Sequence, residues 1–321
     1  MRCIEIAKAY EEKVGTVQFL VADEESKNFI ESKGFSCYQM DSVWNDTDTE
    51  IEKIAKCANA CQVKKLLVDS YFITKEYVDE WKKQGVKVAY LDDLVKGEYA
   101  VDVLFNGALW AKNDQYEICK NYTKLYLGCE YLPLRKEFAV SEKKTVKKQV
   151  QNVLVLSGGT DHFHFLLGFI DKLPEELEEA CQFYLVCGIF NEDYEKILRL
   201  CEGRKNLHVL HNVTNLDEYM RMADVAISAG GMTLYELCAC GTPTITYLMA
   251  DNQKGNVDGF LEQGIFDTIG DIRKNTDYER LFEKLESMLP DYDKRKKKAK
   301  QIQELVDGKG AYRIAEVLKD M

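Results

Sequence analysis

The feature that most constrains this sequence is the alternation of short, continuously apolar runs with amphipathic stretches along nearly its whole length. Runs that are apolar throughout are typical of strands in a sheet covered on both faces. Strands that alternate with helices form parallel sheets through right-handed crossovers. The pattern predicts strands at 16–22, 35–40, 65–70, 87–93 and 101–107, and again at 152–156, 183–188, 207–212, 225–230 and 243–249.

A charged stretch, SEKKTVKKQV at 141–150, lies between the two series of strands and lacks apolar periodicity. We interpret it as an interdomain linker. The chain has 321 residues, enough for about two domains. We therefore expect a first domain at 1–140, a second at 150–303 and a final helix at 304–321.

Composition excludes several functional classes. The formal net charge of −11 argues against a general nucleic-acid binder, and the basic run KRKKKAK at 294–300 is interpreted as a solvated helix face. No apolar run is long enough to span a membrane, and no signal peptide is recognised at the start. The chain has 11 cysteines but no CxxC pair, so we expect reduced thiols, no structural zinc and a cytoplasmic location.

Two glycine-containing loops in the second half are candidate anion sites, because both follow predicted strands. Ligands of open parallel sheets bind at the carboxyl ends of strands, and glycine lets backbone amides approach an anion closely. Each loop alone is a weak signal, but together they favour a nucleotide-diphosphate site. The candidate residues are Ser157, Gly158, Gly159 and Thr160 in the first loop, and Gly230, Gly231, Met232 and Thr233 in the second.

Polar residues close to the second loop suit a nucleotide sugar. Glu236 lies on the predicted helix after that loop, where its carboxylate can accept hydrogen bonds from ribose hydroxyls. The alternative is a surface glutamate favoured by the helix dipole. Asn252 and Gln253 follow the last strand, and their amides can both donate to and accept from sugar groups. The alternative for this pair is a polar loop and helix cap.

Several segments together resemble a known family: SAGGMTLYELCACGTPTITYLMADNQ, SGGTD, VDSY, LDD, YLPLRKEF and DGKGAYRIAEVL. They look like the UDP-sugar hydrolases of pseudaminic acid synthesis, which release UDP from UDP-2,4-diacetamido-2,4,6-trideoxy-β-L-altropyranose. Those enzymes are similar in turn to the transferase that adds N-acetylglucosamine to lipid-linked muramyl peptide. The resemblance implies an α/β, GT-B-like fold, with two Rossmann-like domains of parallel sheets around a substrate cleft. It also implies a C-terminal helix that crosses back onto the first domain.

The resemblance also implies roles for individual residues. Glu236 would bind the ribose, the two glycine loops the diphosphate, Asn212 and Val213 the uracil, and Asn252 with Gln253 the sugar. No cofactor or metal is implied.

The resemblance extends to the first domain. Tyr71 matches a tyrosine that lines the family's active site and is a tentative catalytic residue, and Ser70 stands where many relatives have His. Arg135 is a candidate substrate contact or, equally, a hinge ion pair. Asp92 and Asp93 are expected to cap a strand-end loop rather than bind a metal.

One part of the family pattern is not found. The family begins with a strand and a glycine-rich loop that carries the catalytic His, whereas Met1-Arg2 here falls where a later Met-Arg pair stands. The chain's histidines are His162, His164, His208 and His211, and none matches the motif. For His162 and His164 we favour a surface helix face. We expect the central first strand of the order 3-2-1-4-5 to be lacking, which would leave two interior strand edges unpaired. Such a chain reads as a truncated gene model or a degraded paralogue.

The function predicted from the sequence is a nucleotide-sugar hydrolase that releases UDP from a UDP-linked diacetamido-trideoxyhexose in pseudaminic acid or surface-polysaccharide biosynthesis. Two alternatives stay open: a GT-B UDP-sugar glycosyltransferase, and a catalytically inactive UDP-sugar-binding remnant. The expected partner is a UDP-linked amino sugar, and the sequence predicts no particular oligomeric state.

Overall fold

A computed structural model of the chain describes residues 1–95, 100–116, 122–139 and 142–321. These residues form two compact units: residues 1–136 with 308–321, and residues 137–307. Both units are built on parallel strands that alternate with helices. The α/β class and the parallel sheets predicted from the apolar runs are therefore confirmed.

The first unit contains short strands and five helices among the described residues. The strands are β1 (Gln18–Val21), β2 (Ser36–Gln39), β3 (Lys65–Val68), β4 (Lys87–Leu91), β5 (Val103–Asn106) and β6 (Lys124–Leu127). The helices are α1 (Arg2–Lys13), α2 (Glu24–Ser32), α3 (Ile51–Cys61), α4 (Lys75–Lys83) and, from the end of the chain, α13 (Gly310–Asp320). Helix α13 packs against α1, so the last helix belongs to the same unit as the first.

The strands of the first unit form two sheets, β1–β2 and β3–β4–β5–β6. Within the described residues no ladder joins β1 to β3. The two sheets nevertheless share a core, because α1 packs Ile6 and Ala9 with β4 and β5, and Ile4 and Ala7 with β1. Another cluster contains Leu20 of β1, Val68 of β3 and residues of α3 and α4. Hydrophobic packing therefore connects two sheets that backbone hydrogen bonds do not.

The second unit is built on one continuous sheet with the strand order β12-β11-β10-β7-β8-β9. The strands are β7 (Asn152–Leu156), β8 (Gln182–Cys187), β9 (Leu207–His211), β10 (Val225–Ala229), β11 (Thr244–Leu248) and β12 (Asp267–Asp271). The helices are α5 (Phe165–Lys172), α6 (Glu175–Ala180), α7 (Tyr194–Cys201), α8 (Leu216–Met222), α9 (Thr233–Cys240), α10 (Lys254–Glu262), α11 (Tyr278–Met288) and α12 (Tyr292–Leu305). Its first strand, β7, has ladder partners on both sides.

The segment interpreted as a linker is instead packed into the second unit. Its first residue, Ser141, and the predicted domain boundary at residue 140 lie outside the described residues. Lys144 donates hydrogen bonds to the carbonyls of Arg221 and Ala223, and Val150 is buried in the core. Because these backbone carbonyls accept bonds from the lysine, a stretch without apolar periodicity is still held in place.

The basic run is not wholly a solvated helix face, which corrects that interpretation. Arg295 of α12 is completely buried and donates to the carbonyls of Met288, Leu289, Lys147 and Lys148. Its planar guanidinium carries five donors, enough to serve several carbonyls at once. No helix of the described residues is long and apolar enough to cross a membrane.

Candidate functional site

Three loops that the sequence singles out leave neighbouring strands of the second unit. Strand β10 pairs with β7 and with β11, and the registers Leu156↔Ser228 and Ala229↔Tyr247 set their carboxyl ends side by side. Neighbouring strands lie about 4.8 Å apart. The loops 157–160, 230–233 and 250–253 therefore start within one small area of the sheet edge.

The loop after β7 presents polar groups that the protein does not use. Among the described residues, the amides of Gly158, Gly159 and Thr160 have no protein acceptor. The hydroxyl of Ser157 is fully buried and also lacks a partner. Because a buried hydroxyl without a partner costs about 1–3 kcal/mol, this arrangement favours a ligand that supplies the missing acceptor.

The helix that follows this loop is already capped by the protein. The carboxylate of Asp161 accepts hydrogen bonds from the amides of Phe165 and Leu166 at 2.9 and 3.0 Å. Burial raises the pKa of Asp161 to about 6, although the two amide bonds oppose the shift. An anion at the first loop would consequently meet the glycine amides rather than the end of α5.

The loop after β10 leads into α9, whose first turn has no side-chain cap. The amides of Gly231, Met232 and Thr233 find no acceptor within the described part of the chain. Gly230 is pressed against α10, because a Cβ there would lie 2.4 Å from Val257 Cγ2. This close approach requires glycine and fixes the turn that exposes the three amides.

Gln253 is fixed beside this turn, whereas Asn252 is exposed. The Gln253 side-chain oxygen accepts a hydrogen bond from the Met249 amide at 3.1 Å. Its nitrogen lies 3.9 Å from the position that a Cβ on Gly231 would take. Gln253 therefore directs a donor toward the second glycine loop, and Asn252 projects into solvent from the same loop.

The predicted nucleoside contacts lie on both sides of these loops. Glu236 is half-buried in the first turn of α9 and has interactions of its own. Asn212 and Val213 directly follow the edge strand β9, two strands from β7, and Asn212 has a positive φ of 50°. The structure thus groups the diphosphate and sugar candidates closely, and it sets the uracil candidates about 10 Å further along the sheet edge.

Tyr71 belongs to a polar cluster at the strand ends of the first unit. It is exposed, and its hydroxyl donates to Asp93 at 3.1 Å. Arg2 holds Asp93 at 2.7 Å and Asp69 at 2.6 Å. Burial and the Asp93 carboxylate raise the pKa of Tyr71, so the phenol is a neutral hydrogen-bond donor at physiological pH rather than a base.

The remaining first-unit candidates have structural contacts. Asp92 is buried and accepts from the amides of Leu94 and Val95, as expected for a loop cap, whereas Asp93 turns toward Arg2 and Tyr71. The Ser70 hydroxyl accepts from the Phe72 amide.

Arg135 is half-buried near the end of the unit's long segment and has interactions of its own. In the described parts of the chain, no group of three or more His, Cys, Asp or Glu side chains is arranged to hold a metal ion.

Sequence reasoning missed a histidine–carboxylate pair beside the first glycine loop. His164 Nδ1 contacts Asp193, a nearly fully buried residue from the connection between β8 and α7. The two residues are 29 positions apart, and no spacing pattern in the sequence links them. The available signal was the position of His164 just after the SGGTD loop.

Comparison with known proteins places these loops in a family context. Residues 152–317, over half of the chain, match the glycosyltransferase family 28 C-terminal domain. The chain is 27% identical over 244 residues to the spore coat polysaccharide biosynthesis protein SpsG of Bacillus subtilis, covering 75% of this chain and 68% of that protein. It is 25% identical over 201 residues to a UDP-N-acetylglucosamine–N-acetylmuramyl-(pentapeptide) pyrophosphoryl-undecaprenol N-acetylglucosamine transferase of Acetivibrio thermocellus. That alignment covers 59% of this chain and 54% of the transferase.

Solved structures show the same fold along the whole chain. The crystal structure of MurG from Acinetobacter baumannii matches with a TM-score of 0.72 at 12% identity, covering 100% of this chain and 95% of that one. The glycotransferase of kitacinnamycin matches with a TM-score of 0.71 at 14% identity, covering 99% and 94%. At these identities the likeness shows the fold alone, and it confirms the predicted GT-B-like class.

Proposed function

The chain belongs to the glycosyltransferase family 28 C-terminal domain family, and from this premise we propose that it binds a UDP-sugar and transfers the sugar to an acceptor in polysaccharide biosynthesis. The observation that carries the proposal is the set of unused donors at two adjacent strand ends. Six backbone amides and one buried hydroxyl surround the place where the diphosphate would lie, contributed by Ser157, Gly158, Gly159, Thr160, Gly231, Met232 and Thr233.

The nucleoside and sugar would bind beside this diphosphate site. Glu236 accepts ribose hydrogen bonds in the proposal, Asn212 and Val213 contact the uracil, and Asn252 with Gln253 face the sugar. A hydrogen bond from a ribose hydroxyl to a carboxylate has a charged acceptor and contributes about 1.5–3 kcal/mol to binding. Glu236→Ala should therefore weaken UDP binding by that amount, with the exposed Glu262→Ala as the matched control.

Transfer is favoured over hydrolysis by an aromatic surface in the first unit. The Trp44 and Phe72 rings are both exposed and meet edge to face, with centroids 5.7 Å apart. The Thr47 hydroxyl donates to the Phe72 carbonyl at 2.8 Å, so the two loops are tied together. Two adjoining exposed aromatic rings that are held in place are a candidate surface for binding an acceptor. An acceptor would use this surface, whereas a hydrolase needs only water.

Tyr71 and Arg135 complete the proposal in the first unit. Tyr71 would donate a hydrogen bond to the sugar or to the acceptor, since its raised pKa keeps the phenol protonated. Arg135 is the candidate contact to the charged part of the substrate. Hydrolysis of the diacetamido-altrose nucleotide, the main function predicted from the sequence, would use the same donors and is the second candidate function.

The test is release of UDP from UDP-N-acetylhexosamines and from the diacetamido-altrose nucleotide, with and without saccharide or lipid-linked acceptors. Release that depends on an acceptor supports transfer. Release that is equal without an acceptor identifies a hydrolase and contradicts the transfer proposal. Binding of UDP without release under either condition identifies a binding remnant.

A further inference from the structure

The pair His164–Asp193 carries an inference that the proposed function does not contain. His164 precedes α5 in a left-handed conformation with φ of 52°, and its side chain is largely exposed. Its Nδ1 contacts a carboxylate oxygen of Asp193, which is almost completely buried. A carboxylate that accepts from Nδ1–H fixes the ring orientation and leaves Nε2 for another partner.

The pair is anchored by the loop that joins β8 to α7. The Asn191 side-chain oxygen accepts from the Asp193 amide at 2.9 Å, and Lys196 donates to the second Asp193 oxygen at 2.8 Å. Burial acts against ionisation, but Lys196 and His164 together hold the pKa of Asp193 below its usual value. Asp193 is thus a fixed anion next to the imidazole.

The loop that carries Asp193 lies against the first glycine loop. A Cβ on Gly188 would lie 2.2 Å from the Gly159 carbonyl, so the β8–α7 connection is pressed onto the first glycine loop. The Asn191 side-chain nitrogen is buried and, like the Ser157 hydroxyl, has no partner in the described chain. Two orphaned buried donors, one on each loop, indicate that a ligand belongs where these loops meet.

We infer that His164, oriented by Asp193, binds the terminal phosphate of a nucleoside diphosphate through Nε2, with Asn191 as a second side-chain donor. The inference rests on the proposed UDP-sugar site and adds a side-chain ligand to it. The charged groups that face His164 are Asp193, Asp161 and Lys196.

The experiment is histidine NMR on the full chain, because four histidines give a simple spectrum. The ring resonances of each histidine are followed at one pH in the free protein, with saturating UDP, with uridine and with inorganic diphosphate. UDP and diphosphate should shift the His164 resonances, with the midpoint at which the ligand binds, because the phosphate would contact Nε2. Uridine should leave the His164 resonances unchanged. No ligand should shift the resonances of His208, whose Nε2 contacts Gln182.

Affinity gives the second measurement. His164→Asn removes the hydrogen bond from Nε2 to a charged phosphate, so it should weaken UDP binding about tenfold and leave uridine binding unchanged. Asn tolerates the positive φ at this position, so the variant should keep the fold. The matched control is His162→Asn. Since a terminal phosphate itself titrates at about pH 6, parent and variant are compared at the same pH.

The outcomes separate the inference from the proposed function. If UDP binds but the His164 resonances do not move, the inference is wrong and the UDP site stands. If UDP produces no binding heat at all, the proposed site fails and the inference fails with it. An affinity for UDP that is unchanged in His164→Asn would also contradict the phosphate contact.

Discussion

The two units hold their parallel strands together in different ways. In the second unit β7 is interior, paired with β10 and β8, and its residues Val153, Leu154 and Val155 are completely buried. In the first unit β1 and β3 each have a ladder partner on one side, and several of their residues are only half-buried. The first unit depends on helices α1 and α3 to hold the two sheets, whereas the second has a continuous hydrogen-bonded sheet.

The polar groups at the strand ends also differ between the two units. The loop 157–160, whose amides have no protein acceptor, follows the interior strand β7 and lies at the middle of the sheet edge. The strand ends of the first unit instead carry Asp69, Tyr71 and Asp93. These three side chains and Arg2 of α1 largely satisfy one another. The second unit is therefore suited to hold an anion, and the first presents a neutral phenol and an aromatic surface.

The largest expected effect is in amide hydrogen exchange. Amides of β7 should exchange only through unfolding of the second unit, whereas amides of β1 and β3 that point away from their ladder partners should exchange by local opening. After correction for intrinsic rates, we expect a difference of about a thousandfold, equivalent to about 4 kcal/mol. Equal protection of the three strands, measured by mass spectrometry or NMR, would contradict this difference between the two units.

Next in size is the effect of removing the buried guanidinium of the second unit. Arg295→Met leaves several buried carbonyls without donors and should lower the free energy of unfolding of that unit by about 3 kcal/mol. All three tryptophans lie in the first unit, so their fluorescence reports that unit while circular dichroism reports both. The unfolding transition of the second unit should move to lower urea with the fluorescence transition unchanged.

The control for this variant is Lys297→Met, which changes an exposed residue of the same basic run. A destabilisation as large as that of Arg295→Met would show that the run acts through its general charge. For Lys297→Met we expect a change in the free energy of unfolding that is close to zero.

A comparable effect concerns the helix caps, whose pH dependence should have opposite signs in the two units. In the second unit Asp161 has a pKa raised to about 6, against about 3.9 unfolded. Its contribution is complete below pH 4 and lost as pH rises through 6, by up to about 3 kcal/mol. In the first unit, the Ser26 amide lowers the pKa of Asp23, so its contribution is present above pH 4 and lost below.

Urea unfolding of Asp161→Asn and Asp23→Asn between pH 3 and pH 7.5 checks these signs. Asn keeps an oxygen that can cap the helix. Relative to the parent, Asp161→Asn should gain stability as pH rises from 4 to 7, and Asp23→Asn should gain it as pH falls below 4. Parallel curves for parent and both variants would contradict the assignment.

The smallest effect is expected at Tyr71. Tyr71→Phe removes one hydroxyl that donates to Asp93. It should raise the activation free energy of turnover by about 1 kcal/mol and leave the affinity for UDP unchanged. The proposed function assigns UDP to the second unit, so a tyrosine of the first should not affect the nucleotide. A loss of UDP affinity equal to the loss of turnover would show that this division is wrong.

The sequence predicts the interior of both units well. Continuous apolar runs located the strands from β1 to β5 and from β7 to β11 to within about two residues at most ends, since burial on both faces leaves a plain signal. The apolar runs did not predict strands β6 and β12, because both are edge strands with exposed or polar residues, such as Lys124 and Asp267. Their position is set by the neighbouring strand rather than by their own composition.

The candidate site is predicted in part for a similar physical reason. Local motifs identified both glycine loops, because glycine and hydroxyl residues at strand ends are visible in a short stretch of sequence. The His164–Asp193 contact and the burial of Arg295 depend on tertiary packing, so no local sequence pattern predicts them. For the same reason the sequence could not distinguish Asp92, which caps a loop, from Asp93, which pairs with Arg2 and Tyr71.

The most direct measurement is calorimetric titration of the full chain with UDP in the presence of a chelator, for the parent and three alanine variants. Gly159→Ala, Gly231→Ala and the control Gly15→Ala each add a methyl group where the protein offers room, without a positive φ. The account predicts 1:1 binding that is weakened about tenfold or more by either loop variant, because the added methyl group keeps the diphosphate away from the backbone amides, and left unchanged by Gly15→Ala. No heat from the parent at millimolar UDP, or equal affinity in all four proteins, would contradict it.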